Sequence, residues 1–240
     1  VLKQERAVRT RHSLVHSAAQ AFQQHGYVQA RLADISSRAG VSPGALHFHF
    51  ENKSAVASTV QAEAAESLRR AVRAATRQPG MNALQKLTDA SHALADTLRR
   101  DVVARAGFQL SCDEACKAEW DLCQEWHRYV QRLLEEAADE NLLSEDVARH
   151  NVAASIVAAT TGLEVLARND AEWLAHETLT GLWELILPCL ATGAALTVLE
   201  PGGTHPGRRD KATPGGRRPV HRAQLAANRT ALSTRPVPAR

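Results

Sequence analysis

The stretch Leu32-Ala33-Asp34-Ile35-Ser36-Ser37-Arg38-Ala39-Gly40-Val41-Ser42-Pro43-Gly44-Ala45-Leu46-His47-Phe48-His49-Phe50 leaves its backbone few choices. Leu32, Ile35 and Ala39 recur at helical spacing, and Gly40 closes that short helix because glycine accepts the left-handed geometry of a helix end. Val41 turns inward. Ser42 is an N-cap, and Pro43 takes the first helical position, where its missing N–H costs nothing. A third short helix follows over about residues 43–47. Two short helices joined by a three-residue turn containing glycine make a helix-turn-helix, whose second helix is the one that enters a DNA major groove.

The rest of the chain is also helical. Leu14, Ala18, Ala21 and Phe22 share one face of a helix over about residues 6–25, and Gly26 stops it. A long helix runs from Lys53 to about Arg77, where Pro79-Gly80 ends it. Leu84, Leu87, Ser91, Leu94 and Leu98 form another stripe. Ser111 with Glu114 has capping-box form, which predicts a single helix from there to about Glu140. Ser144 opens a further helix to about Arg168, and Asp170 or Ala171 starts one that Pro188 kinks or ends. No period-2 strand is legible, so the fold is all-α. Three parts are expected: a DNA-binding head (1–55), a ligand-binding and dimerisation body (56–195), and a disordered basic tail (196–240). Six of the nine prolines fall in the last 40 residues, with no aromatic residue to build a core.

Charge follows the same division. Residues 1–50 carry six Lys/Arg against two Asp/Glu, residues 201–240 nine against one, and the middle fourteen against twenty-three. A basic head on an acidic body points to a polyanion as the head's partner. No apolar run reaches the ~18 residues of a membrane span, and the start is charged rather than signal-like. Four cysteines without paired spacing make no disulfide framework, so a reducing cytoplasm is expected.

The chemistry of the head suits DNA. Gly44 and Ala45 have almost no side chain, so the helix can approach base edges closely. Ser42 and the N–H groups around Pro43 can bind phosphate. His47, Phe48, His49 and Lys53, with Arg9, Arg11 and Arg31, complete the expected DNA contacts. The alternative, a hairpin that merely packs, fits poorly with Gly44-Ala45 at a helix start ringed by basic residues.

In the body, Trp126, Val130, Leu133 and Leu134 share one helical face, Leu84, Leu87 and Leu94 a second, and Ile156, Thr160 and Leu163 a third. These faces either enclose a small apolar cavity with a few polar anchors or fill a plain core. Cys112, Cys116, Cys123 and His127 fall within roughly 60° of arc on one continuous helix. On that helix Cys116 and Cys123 stand about 10 Å apart along the axis, too far for one zinc ion with bonds near 2.3 Å. No metal site and no cofactor are expected. No catalytic constellation, Gly-rich phosphate loop, HExxH or GxSxG is present in the sequence, so an enzyme is not expected.

The run Ala39-Gly40-Val41-Ser42-Pro43-Gly44-Ala45-Leu46, followed by Phe48-His49-Phe50 and Lys53, resembles the TetR family of bacterial transcriptional repressors over about residues 6–56. The family usually has Tyr where this chain has His47, and commonly a small hydroxyl residue where it has Arg31. Further on, Arg105-Ala106-Gly107-Phe108-Gln109-Leu110-Ser111, Glu125-Trp126 and Thr161-Gly162 resemble the γ-butyrolactone receptor branch of that family. The resemblance implies a homodimer, paired through its last two helices, that leaves operator DNA on binding a small lactone, butenolide or furan signal. It places Trp126 in the ligand pocket and polar anchors near Gln61 and Thr161. With the apolar faces, the expected ligand contacts are Gln61, Leu87, Leu94, Phe108, Leu110, Trp126, Val130, Thr160 and Thr161. The alternatives are a pseudo-receptor answering to an antibiotic or intermediate, and a repressor that senses redox state through its cysteines.

Overall fold

The computed structural model describes residues 2–116 and 120–204. Ten α-helices appear among them: α1 (Leu2–Gln29), α2 (Leu32–Arg38), α3 (Pro43–His49), α4 (Lys53–Ala75), α5 (Ala83–Arg100), α6 (Val102–Ser111), α7 (Leu122–Asp139), α8 (Arg149–Ala167), α9 (His176–Leu190) and α10 (Gly193–Leu196). Among the described residues there is no strand, only an isolated bridge between Leu143 and Ala191. No helix among the described residues is long and apolar enough to cross a membrane. The all-α expectation holds.

The head forms as its local signals require. The backbone leaves helical geometry at Gly26, where φ is +70°. Gly40 takes φ +68° in the turn between α2 and α3, and Ser42 Oγ accepts from the Ala45 N–H at 3.2 Å. α3 runs one turn-fraction past the expected end, to His49. Leu14, Ala18, Phe22, Ile35, Leu46, Phe50 and Val56 close a core beneath these helices. Ala106 and Leu110 of α6 belong to that same core. The head is therefore not sealed at residue 55; α4 runs through the boundary and α6 plugs the head from the body side.

The body packs α4 against α5 and α6, and α7 against α5 and α8. The α4–α6 approach is close because Gly107 has no side chain. A Cβ there would lie 2.3 Å from Ala64 Cβ. Asp101 begins α6 by accepting from the Val103 and Ala104 N–H groups at 2.8 and 3.1 Å, an N-cap of about 1 kcal/mol.

Two expected helix starts move. Ser111 does not open a helix; it is the last residue of α6, and Asp121 caps α7, accepting from Gln124 N–H at 2.8 Å. The expected start at Ser111 is thus the end of α6, and the helix described within 111–140 is α7, which begins after the Asp121 cap. Ser144 does not begin α8 either. Its hydroxyl and N–H bond to the Ala191 and Leu190 carbonyls, and α8 starts at Arg149. Asp170 does cap a helical turn, a 3-10 segment over Ala171–Leu174, before α9 begins.

Residues 196–204, expected in the tail, pack on the body. Leu199 is buried. Gln85 and Glu200 exchange amide hydrogen bonds at 2.8 and 3.1 Å, and the Asp89 carboxylate accepts from the Thr204 N–H at 3.0 Å and from its hydroxyl. The remainder of the expected tail, 205–240, lies outside the described residues.

Candidate DNA-binding and ligand-binding sites

α3 presents one face to its core and the other to solvent. Leu46 and Phe50 are buried, while Gly44, His47 and Phe48 are exposed, Phe48 to 82%. An exposed phenylalanine beside exposed histidine is apolar surface that gains from covering. A Cβ on Gly44 would meet nothing nearer than Ser42 Oγ at 4.0 Å. Packing does not demand glycine there, and the outer face of α3 is low at this position. Arg9 and Arg31 are exposed. Arg11 is exposed as well, its guanidinium 5.0 Å above the Phe50 ring, and His49 meets Phe48 edge-on at 5.3 Å.

Lys53 is bonded within the head. Its ammonium donates to the carbonyls of Tyr27, Val28 and Ala30 at 2.9, 3.0 and 3.3 Å, and sits 4.7 Å over the Tyr27 ring. Three donors committed to three carbonyls leave none for a phosphate. The residue ties α4 to the end of α1, where carbonyls lack helical partners. It holds the end of α1 to the start of α4.

The body holds a cavity of about 550 Å³ between α4, α5, α6 and α7. Its apolar wall is Ala65, Leu68 and Val72 of α4, Leu94 of α5, Phe108 of α6, and Leu122 and Trp126 of α7. Its rim is basic: Arg69, Arg73, Arg128 and Arg132, with Glu125 and Tyr129. Arg69 pairs both nitrogens with Glu125 at 2.6 Å each; that bond and the facing carboxylate push its pKa up against the opposing effect of burial. Tyr129 stacks on Trp126 with ring centres 5.7 Å apart, and burial raises its phenol's pKa. The Trp126 indole N–H is buried and has no hydrogen-bond partner among the described residues.

Of the nine expected ligand contacts, Leu94, Phe108 and Trp126 line this cavity. Leu87 and Val130 are buried in the same core behind its wall. Leu110 belongs to the core under the head. The third apolar face expected around the cavity, that of α8, does not line it, and the Thr160 hydroxyl turns back to the Ile156 carbonyl at 2.8 Å. Thr161 is beside the Cys123 thiol, whose pKa it lowers, and does not line the cavity. Gln61 is fully buried in α4, with neither amide atom bonded among the described residues, and it does not reach the cavity. The α4 wall and the arginine rim went unread. The i, i+3, i+4, i+7 series Ala65, Leu68, Arg69 and Val72 was the available signal.

A helix-turn-helix head carried on a helical body with an apolar, basic-rimmed cavity is the architecture of a DNA-binding regulator. Residues 14–60 match the family of bacterial regulatory proteins, tetR family. The A-factor receptor protein of Streptomyces griseus is 31% identical over 205 residues, 84% of this chain and 71% of that protein. A gamma-butyrolactone receptor (ArpA-like protein) superposes with a TM-score of 0.68 at 22% identity, covering 80% of this chain and 92% of its own. CprB of Streptomyces coelicolor, solved in complex with its operator sequence, superposes with a TM-score of 0.70 at 21% identity, over 96% and 100% of the two chains; these two structures share the fold. The chain belongs to the TetR family of bacterial regulatory proteins and is similar to the γ-butyrolactone receptors within it.

Proposed function

We propose that this chain is a homodimeric transcriptional repressor, acting in the cytoplasm, that leaves a pseudo-palindromic operator when a small lactone or butenolide signal enters the α4–α7 cavity, and that it serves control of secondary metabolism. The observation that carries the ligand is the cavity itself, about 550 Å³, walled by Leu94, Phe108 and the Trp126 ring and rimmed by arginines. Apolar walls with a few polar groups suit a small ligand with an alkyl chain and a few oxygens, and a lactone is one. The rim arginines supply donors for ligand oxygens. Kinship with an A-factor receptor supports the same class.

α6 supplies the coupling. Phe108 stands in the cavity wall, while Ala106 and Leu110, two residues to either side, stand in the head core. A ligand that binds better to one setting of α6 shifts the population of head positions, and linkage lowers DNA affinity.

The test is operator release followed by fluorescence anisotropy against synthetic γ-butyrolactones and butenolides with graded alkyl chains. The wild-type protein should be released with a chain-length optimum set by the cavity. Trp126→Ala should keep operator affinity and lose ligand affinity by about thirtyfold, the ~2 kcal/mol typical of a buried aromatic anchor. Release by neither lactone class, or unchanged release from the variant, would remove the reading.

A further inference from the structure

The break between α6 and α7 brings together two cysteines that a continuous helix would hold well apart. Cys112 follows the last residue of α6, and Cys123 is the second residue of α7. Their sulfurs lie 2.8 Å apart. The pairing is built rather than incidental, because the Ser111 hydroxyl lies 3.0 Å from the Trp120 carbonyl and 3.0 Å from that of Gly107, pinning the two helix ends together. A disulfide, with sulfurs about 2.05 Å apart, requires under ~1 Å of further approach.

We infer that Cys112 and Cys123 are a modification site, a dithiol that hydrogen peroxide oxidises to an intramolecular disulfide joining α6 to α7. Cys112 is exposed and is the attacking thiol; Cys123 is half-buried and resolves. The hydrogen bond from Cys123, with a smaller help from Arg168, lowers the Cys112 pKa against the opposing effects of burial and of the Glu164 and Asp121 carboxylates, while that same bond and burial keep the proton on Cys123. The Cys112 thiolate attacks one peroxide oxygen, forming an S–O bond as the O–O bond breaks, and the departing hydroxide takes a proton to become water. Forming the sulfenic acid removes the Cys112 thiolate that held the Cys123 proton. The Cys123 sulfur then attacks the Cys112 sulfur, forming S–S as S–O breaks, and the Cys123 proton passes to the departing hydroxide, which leaves as the second water. Two thiols are oxidised by two electrons in all, and one peroxide is reduced to two waters.

The other two cysteines do not compete. Cys116 is buried in the core under the head, where burial raises its thiol's pKa. Cys189 is exposed on α9 in a different part of the chain. The bond would fasten the coupling helix α6 to the cavity helix α7, one residue from Leu122 and three from Trp126.

The test treats the full-length protein with stoichiometric hydrogen peroxide. Expected are a loss of two free thiols, a mass decrease of about two hydrogens, a linked Cys112–Cys123 peptide pair, and full reversal by dithiothreitol. Backbone hydrogen exchange should slow at the end of α6 and the start of α7. Cys123→Ser should accumulate a dimedone-reactive sulfenic acid on Cys112, while Cys112→Ser should not form one on Cys123. Unchanged thiol counts, a bond through Cys116 or Cys189, or sulfinic acid in place of the disulfide would overturn the assignment. So would unaltered exchange at the two helix ends in the oxidised protein.

Discussion

Gly44 and Lys53 stand nine residues apart at the head, and their atoms predict opposite failures. Gly44→Val adds a branched side chain where nothing nearer than 4.0 Å opposes it, so the head should stay folded, with an unchanged circular-dichroism melt. Specific operator binding should nonetheless vanish, because the new methyls hold α3 off the base edges, while non-specific binding, which depends on phosphate contacts, persists. Equal loss of both would misplace α3. Lys53→Met removes the clamp on the Tyr27, Val28 and Ala30 carbonyls. The head should lose on the order of 1 kcal/mol, and the salt dependence of DNA binding should keep its slope. A slope reduced by about one phosphate contact would return Lys53 to the DNA. The contrast marks what sequence could show. Ser42, Pro43 and Gly40 act on neighbours within a few residues, so their roles were legible. Lys53 acts on carbonyls some 25 residues upstream, which only the folded chain brings near.

At the scale of elements, helix existence was legible and helix boundaries were not always so. The α5 stripe Leu84, Leu87, Leu94 and Leu98 is buried throughout, as its spacing required. The α6–α7 region misled because Ser111–Glu114 and Asp121 are rival caps in one helix-friendly stretch, and packing chose the second. With α7 starting there, Cys123 lies beside Cys112 at the end of α6. Residues 196–204 misled for a similar reason: low aromatic content suggested a free tail, but Gln85, Asp89 and His92 on α5 bind this segment's backbone. Here His92 Nε2 donates to the Pro201 carbonyl at 2.9 Å and its ring lies 4.5 Å from that of His176. Burial and the neighbouring His176 lower the His92 pKa, more than the bond to Pro201 and the Asp89 carboxylate raise it. The folded state therefore disfavours the proton relative to the unfolded chain. Its contribution is present above the ordinary histidine value near 6.5 and is lost as pH falls below it. Melts between pH 7.5 and 5.5 should show a larger fall in Tm for wild type than for His92→Gln. An equal fall in both would place the proton uptake elsewhere.

At the scale of the molecule, the proposed function requires a cavity inside one chain to govern DNA bound by two. α8 and α9 carry Val165, Leu166 and Leu185 exposed to 46%, 45% and 73% in the single chain. Apolar side chains left open on two of the last helices are what a partner copy would cover. The dimer sets the distance between two α3 helices, and that distance must match one helical turn of DNA, about 34 Å, or a multiple. Leu185→Glu should therefore break the dimer, because a carboxylate buried without a partner costs several kcal/mol. Sedimentation should report a monomer with an unchanged helical spectrum. Operator affinity should fall by ~100-fold or more, since each head then binds its half-site without the other's effective concentration. Ligand binding should survive, because every residue of the cavity wall comes from α4 to α7 of one chain. Quenching of indole fluorescence by an inducing lactone would show this directly in the monomer. A Leu185→Glu protein that still sediments as a dimer would move the interface off this part of α9. A monomer that binds operator at full strength would mean that head spacing does not govern affinity, and the α6 coupling would then have to act within a single head.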